Sequence, residues 1–239
     1  MLWMKVAFVD VGGTLWPDAW PTLPGDRWER ISRLCRLETG LSEQSAAELI
    51  DGLAALDHPP SKRQQTDPLV IDALRRRGLT GLVRPDRVIE AMCLPADGRV
   101  EVFPGAHRLL AGLSAQAQVV IVSNTLWRTR DQARADFEQF GLAAYVSAHV
   151  MSIDVGWRKP HPRFYAAALA TAGVPPDQCV IVGDSESNDI EQARRLGMRA
   201  IRVAIEVPVL TATAAEHLCT SLDSVADLLL DHPARGPAA

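Results

Sequence analysis

The sequence predicts an α/β protein, a parallel sheet with helices on both faces and a small inserted all-α domain of four helices. Three observations predict it. Val6, Ala7, Phe8 and Val9 form an apolar run suited to a strand buried on both faces, and the run ends at Asp10. After Gly98, short apolar runs alternate with helical spacings, the pattern of βαβ units joined by right-handed crossovers. Between Pro17 and Gly98 the chain reads as helices alone, so this stretch is inserted between the first strand and the rest. The predicted boundaries are 1–16 and 99–239 for the core and 17–98 for the helical insertion.

The insertion begins with a helix over 26–37, carrying Trp28, Ile31, Leu34 and Leu37 on one face, with Gly40 as its stop. A second helix is capped by Ser42 and buries Leu49, Ile50, Leu53 and Leu56 before His58-Pro59-Pro60. A third opens with Asp67 as N-cap and Pro68 in the first turn, and runs to Arg77, where Gly78 ends it. The fourth spans 85–93, with Val88, Ala91 and Met92 apolar. In the core, helices are expected at 107–115, 129–140, 161–172, 188–196 and 222–230. Strands are expected at 118–123, 145–152, 179–183 and 198–205, the last being the final core strand. From His232 the chain reads as a frayed tail.

Composition limits the function classes. A chain of 239 residues with 47% hydrophobic content has ample core, and a net charge of −4 argues against a nucleic-acid binder. Cys35, Cys93, Cys179 and Cys219 show no CxxC pair or metal-ligand spacing, so reduced thiols are expected. No segment approaches the ~20 apolar residues of a membrane span. The N-terminal apolar run meets Asp10 without a signal-peptide cleavage pattern. A cytoplasmic protein without membrane or nucleic-acid partners, monomeric or homodimeric, is therefore expected.

Ligands bind outside the carboxyl ends of the strands in open α/β sheets. Four groups of residues fall there. Asp10 is followed by Gly12, Gly13 and Thr14, a loop whose backbone can approach an anion closely. Ser123-Asn124-Thr125 follows the 118–123 strand, Lys159 lies in GWRKPHP, and Gly183-Asp184 opens GDSESND, which ends at Asp189. A carboxylate such as Asp10 can attack phosphorus and form a covalent intermediate. The hard oxygens of Asp10 and Asp184 suit Mg²⁺, while Ser123 and Lys159 offer a hydroxyl and a positive charge to phosphate oxygens. Asp189 is placed to orient Lys159 or a metal-bound water.

The first loop alone also resembles the phosphate-binding loop of the actin and hexokinase superfamily of sugar kinases, but the expected second hairpin strand is replaced by Pro17-Asp18-Ala19-Trp20-Pro21. The whole series, DVGGTL, SNT, RKPHPRFY and VGDSESNDIEQARRLGM, resembles the haloacid dehalogenase superfamily, in the subgroup whose helical cap follows the first motif. Val102-Phe103-Pro104-Gly105 is similar to that subgroup's return from cap to core. The resemblance implies a Rossmann-like core, a nucleophile at Asp10, phosphate contacts from Ser123 and Lys159, and Mg²⁺ at Asp10, Asp184 and the Gly12 carbonyl. Phosphoryl binding is also expected of Gly13, Thr14 and Asn124, on a phosphorylated small-molecule substrate.

One position departs from the resemblance. Phosphatases of this superfamily carry a second aspartate two residues after the nucleophile, where this chain has Gly12. Three readings stay open: a phosphatase for substrates with good leaving groups or another proton source, a metal-independent dehalogenase, and a phosphate- and metal-binding regulatory protein. Trp16, Trp127 and Trp157 adjoin the first three motifs and are either pocket-mouth residues or packing between cap and core. Trp20 and Trp28 read as cap core. Lys62, Arg63 and the run 75–77 read as a solvated charged face, His149 as a satisfied core histidine and His161 as a helix cap.

Overall fold

The computed structural model describes residues 4–17, 40–42, 44–45, 48–49, 66–92, 100–205 and 212–230. Expectations for the 26–37 helix, Ile50, Leu53, Leu56, Trp20, Trp28, Lys62, Arg63, Cys35, Cys93 and the tail lie outside these residues.

Six parallel strands form one sheet in the order β3-β2-β1-β4-β5-β6. They are β1 (Val6–Val9), β2 (Gln118–Ser123), β3 (Ala148–Met151), β4 (Cys179–Gly183), β5 (Arg199–Val203) and β6 (His217–Cys219). The apolar run of β1 is explained by its central place: Val9 lies opposite Ile121 of β2 on one side and Val182 of β4 on the other. All four of its residues are buried. Alternate side chains feed two cores. Ala7, Val9, Val119, Ile121, Val180 and Val182 face one, and Val6, Phe8, Val120, Val122 and Ile181 face the other. Near-continuous hydrophobic runs are what a sheet covered on both faces requires.

Helices close both faces. The first core is covered by α3 (Ala106–Ser114), by Phe137 of α4 (Arg130–Gln139) and by α8 (Leu222–Leu230). The second is covered by α6 (Pro162–Ala172) and by Ile190 and Ala193 around α7 (Glu191–Arg195), with the single turn α5 (Ser152–Val155) after β3. Local chemistry sets the ends: Thr129 and Gln132 form a reciprocal capping box on α4, and His161 Nδ1 accepts the Arg163 amide at the start of α6. His161 is thus placed as a cap.

In the inserted stretch, α1 (Thr66–Arg76) and α2 (Pro85–Met92) form a helical hairpin. The third helix starts at Thr66, ahead of its expected cap Asp67, and turns at Gly78, where φ is 66°. Upstream, Ser42 Oγ accepts the Ser45 amide (3.2 Å), as a helix cap would. Leu49, Val70, Leu74, Leu79, Val83 and Val88 cluster with Leu126 and Trp127, so the hairpin bears on the segment that follows Ser123. Arg75 and Arg76 are solvated and both pair with Asp72, while Arg77 donates to the carbonyls of Ala73 and Glu48.

Three sequence expectations are corrected. The strand predicted over 145–152 is shorter, because Ala143–Tyr145 is a 3₁₀ turn and Ser152 opens α5. The helix predicted over 188–196 begins with a π turn, Glu186–Ile190. β5 is followed by β6, whose three residues include an exposed histidine and carry no apolar run. Cys179 and Cys219 are buried free thiols. No helix among the described residues is long and apolar enough to cross a membrane.

His149 on β3 is a core histidine, yet not a satisfied one: its ring meets Phe137 edge-on (5.1 Å) and, among the described residues, Nε2 has no hydrogen-bond partner. Burial, with Arg134 and Arg130 adding to it, lowers its pKa to about 4. The unfolded chain binds this proton below about 6.5. The folded chain therefore holds fewer protons between these values, and its stability falls as pH drops through that window, by no more than about 3 kcal/mol. His149→Phe is expected to flatten this decline, as measured by urea midpoints at pH 7 and 4.5. Equal slopes in both proteins would remove His149 from the account.

Candidate active site

Strand order brings the motifs together, because β1 lies between β2 and β4 and their carboxyl ends share one edge. The Asp10 amide still donates to Val182 of β4 (2.9 Å), which holds the residue at that edge with 6% of its surface exposed. The chain then turns tightly: the Val11 carbonyl accepts the amides of Thr14, Leu15 and Trp16, and the Gly13 amide donates to Trp16 (2.8 Å). This turn places Gly13 at φ 72°. A Cβ there would stand 2.6 Å from Asp184 Oδ2, so glycine is required by both conformation and space. The Thr14 hydroxyl donates to Asp10 Oδ2 (3.3 Å).

Lys159 is the hub. Its ammonium donates to Asp10 Oδ1 (2.6 Å), Asp189 Oδ1 (2.6 Å) and the Val122 carbonyl (3.0 Å), using all three of its protons. Burial alone would lower its pKa, but Asp10 and Asp189 overcome that and raise it, so the group stays charged. Asn124 holds the lysine's backbone at both ends: the Lys159 amide donates to Asn124 Oδ1 (2.7 Å) and Asn124 Nδ2 donates to the Lys159 carbonyl (3.0 Å). Ser152 Oγ likewise joins the amide and carbonyl of Thr125 (2.8 Å each).

The fourth motif folds back on itself. Asp189 is 1% exposed, and its Oδ2 accepts the Ser185 amide (3.2 Å). A Cβ on Gly183 would lie 2.6 Å from Asp189 Cγ, so this return also depends on glycine. The π turn is supported by Tyr165, whose hydroxyl donates to the carbonyls of Asn188 and Asp189. Burial, then Asp189 and Asp10, hold the tyrosine pKa above its ordinary value, so it remains a donor. Burial also pushes Asp189 up to about 6, with Lys159 pulling it down and Asp10 adding to the rise.

Asp10, Asp184 and Asp189 present carboxylate oxygens within 4.8 Å of one another. Within this cluster the Lys159 ammonium pairs with Asp10 and Asp189. Closely spaced hard carboxylate oxygens fit a divalent cation such as Mg²⁺.

Asp10, Lys159, Asp184 and Asp189 are thus brought together, with Ser123 at the end of neighbouring β2. The backbone tells a different story from the one expected of Gly13 and Thr14: their amides are spent within the loop. Among the described residues, the amides of Val11 and Gly12 make no backbone hydrogen bond. The tryptophans go to three places. Trp16 packs on Phe137 and Phe140 (5.1 and 5.2 Å), and Trp127 is buried in the α1–α2 cluster. Trp157 stacks on His161 (4.0 Å). Asn124, Tyr165 and the Val122 carbonyl went unread as supports of the site, since a clamp on backbone has no motif of its own.

A sequence profile described as haloacid dehalogenase-like hydrolase matches residues 87–203. Those residues are just under half of the chain, and over them the sequence is that of a haloacid dehalogenase-like hydrolase. A phosphoserine phosphatase from Thermus thermophilus is 32% identical over 105 residues, 44% of this chain and 41% of that protein. The chain spans less than half the length of the first curated relatives it matches. Two solved structures share the superfamily fold, each with a TM-score of 0.65 and coverage of 95% of this chain and 98% of the other. One is a phosphatase of the superfamily from Thermococcus onnurineus (19% identity), the other a 2-haloacid dehalogenase from Pseudomonas syringae pv. Tomato (22%).

Gly13→Ala tests how tightly this superfamily site is built. The left-handed backbone alone costs roughly 1–2 kcal/mol in a residue with a side chain, and the added methyl must displace Asp184. Urea unfolding is expected to show a loss of at least about 1 kcal/mol. An unchanged midpoint would mean that the loop relaxes freely.

Proposed function

We propose that the chain is a Mg²⁺-dependent hydrolase of phosphorylated small molecules, working through an aspartyl-phosphate at Asp10. The observation that carries this reading is the buried Lys159 ammonium between Asp10 and Asp189, beside a third carboxylate at Asp184. Residues 17–98 act as a helical cap over this edge, and contact of the α1–α2 hairpin with Leu126 and Trp127 supports that role.

Lys159 occupies Asp10 Oδ1, while among the described residues Oδ2 accepts the long Thr14 bond alone and is the better nucleophile. Attack by Oδ2 forms the O–P bond as the substrate's P–O bond breaks. Water then attacks the same phosphorus, the bond to Asp10 breaks, and inorganic phosphate leaves. Ser123 and the amides of Val11 and Gly12 receive the phosphoryl oxygens. Asp10, Asp184 and the Gly12 carbonyl would hold Mg²⁺, which when bound supplies charge neutralisation for an anionic substrate. The similarity to a phosphoserine phosphatase supports a small phosphorylated substrate.

Gly12 leaves no carboxylate to protonate the leaving group, so substrates that leave unaided are favoured. Acetyl phosphate and an aryl phosphate are expected to turn over far faster than an alkyl phosphate. Activity is expected to be lost in Asp10→Asn and on chelation. Gly12 does not adopt the left-handed backbone seen at Gly13, so its backbone conformation admits a residue with a side chain. Gly12→Asp should raise alkyl phosphate turnover by a factor within the roughly 10²–10⁴ typical of general acid–base catalysis, with little gain on acetyl phosphate.

The same Gly12 favours a second reading, hydrolysis of a carbon–halogen bond, because halide departs without a proton. Turnover of a 2-haloacid in chelator, with none of the phosphates hydrolysed, would establish that reading over the first. Inactivity on every substrate would leave a phosphate- and metal-binding protein.

A further inference from the structure

Asp184 is held at two points, its carboxylate against Gly13 and its backbone carbonyl by Arg202, and only the first belongs to a sequence motif. On one side is Gly13, too close to carry a side chain. On the other is Arg202 of β5, paired in register with Gly183. Its Nε donates to the carbonyl of Asp184 (3.1 Å) and its Nη1 pairs with Glu186 (3.2 Å). Both side chains are mostly buried, at 14% and 24% exposure. Glu186 is itself held: Oε2 accepts the Thr213 hydroxyl (2.6 Å) and Oε1 the Ala214 amide (2.7 Å). The chain from Thr213 through Glu186 and Arg202 therefore ends on the peptide that carries Asp184.

We infer that Arg202 is a positioning residue for the cation site, fixing the Asp184 backbone so that its carboxylate faces Asp10, with Glu186 orienting the guanidinium. The inference rests on the Mg²⁺ reading proposed above. The fork geometry matters, because one planar guanidinium spans a carbonyl and a carboxylate at once, which an ammonium on a flexible stem cannot do. Groups that orient metal ligands from behind typically change affinity 10–100-fold when removed.

Mg²⁺ titration of the whole protein by calorimetry, with unfolding measured separately in chelator, tests this. Arg202→Met is expected to weaken Mg²⁺ binding about tenfold and to raise the Mg²⁺ concentration for half-maximal turnover equally. Turnover at saturating Mg²⁺ should stay within about twofold of wild type, and Arg202→Lys should fall between the two. Arg199→Met is the control: Arg199 lies on the same strand and pairs with Glu216 (2.6 Å), so its loss should leave Mg²⁺ affinity unchanged. Equal affinity in wild type and Arg202→Met, or equal weakening in Arg199→Met, would overturn the inference. No Mg²⁺ binding by wild type would instead overturn the proposed function. Should Arg202→Met fail to fold, Glu186→Gln carries the test, because it keeps acceptor and shape while removing the charge that orients Arg202. Weaker binding, by a smaller factor than in Arg202→Met, is expected there, and unchanged binding would overturn the inference.

Discussion

The buried ammonium of Lys159 is the constraint on which the rest of the site depends. Taking a charge out of water costs several kcal/mol unless it is paired and fully hydrogen-bonded. Here each of its three protons meets an acceptor from a different part of the chain: Asp10 after β1, Val122 within β2 and Asp189 after β4. The sheet order makes this feasible, since those three strands are adjacent. The converse also holds, because two buried carboxylates in one cluster would repel each other without the lysine between them. Neither group can be removed alone without leaving an uncompensated charge in the interior.

Several features outside the cluster exist to keep this geometry fixed. Asn124 uses both ends of its amide on the lysine's backbone, and so sets the point from which the long side chain reaches inward. Gly13 and Gly183 remove the side chains that would occupy the space of Asp184 and Asp189. The π turn at Glu186–Ile190 departs from regular helix, and Tyr165 supplies a donor to two of its carbonyls. π turns recur at functional sites because they re-aim a side chain within an otherwise helical segment. Asp189 is the side chain that is re-aimed here.

What the sequence revealed and what it hid divide along physical lines. Buried strands at 118–123 and 179–183 were legible to the residue, because both faces are covered and the whole run must be apolar. β6 was not legible, since a three-residue edge strand needs no hydrophobic run. The cluster of Asp10, Lys159, Asp184 and Asp189 was legible because charged residues at strand ends have few other uses. The work of Asn124 and the use of the Gly13 and Thr14 amides within the loop were not, because backbone hydrogen bonding depends on how the loop closes. Trp16, beside the first motif in sequence, packs on Phe137 and Phe140 of the segment around α4. Neighbourhood in sequence fixes where a backbone lies, while χ angles decide which way a large ring points.

Gly12 connects the charge of the site to its chemistry. Three carboxylates already lie within 4.8 Å of one another, and a fourth at position 12 would add to that repulsion unless it were protonated or bound to the substrate. A protonated carboxyl is what general acid catalysis uses, so a residue there would be costly at rest and useful only with a poor leaving group. On the proposed reading, glycine removes both the cost and the benefit. Discrimination among substrates then rests on the leaving group's own ability to depart as an anion. On the same reading the proposed cap selects by shape, and the chemistry of the first loop selects by basicity.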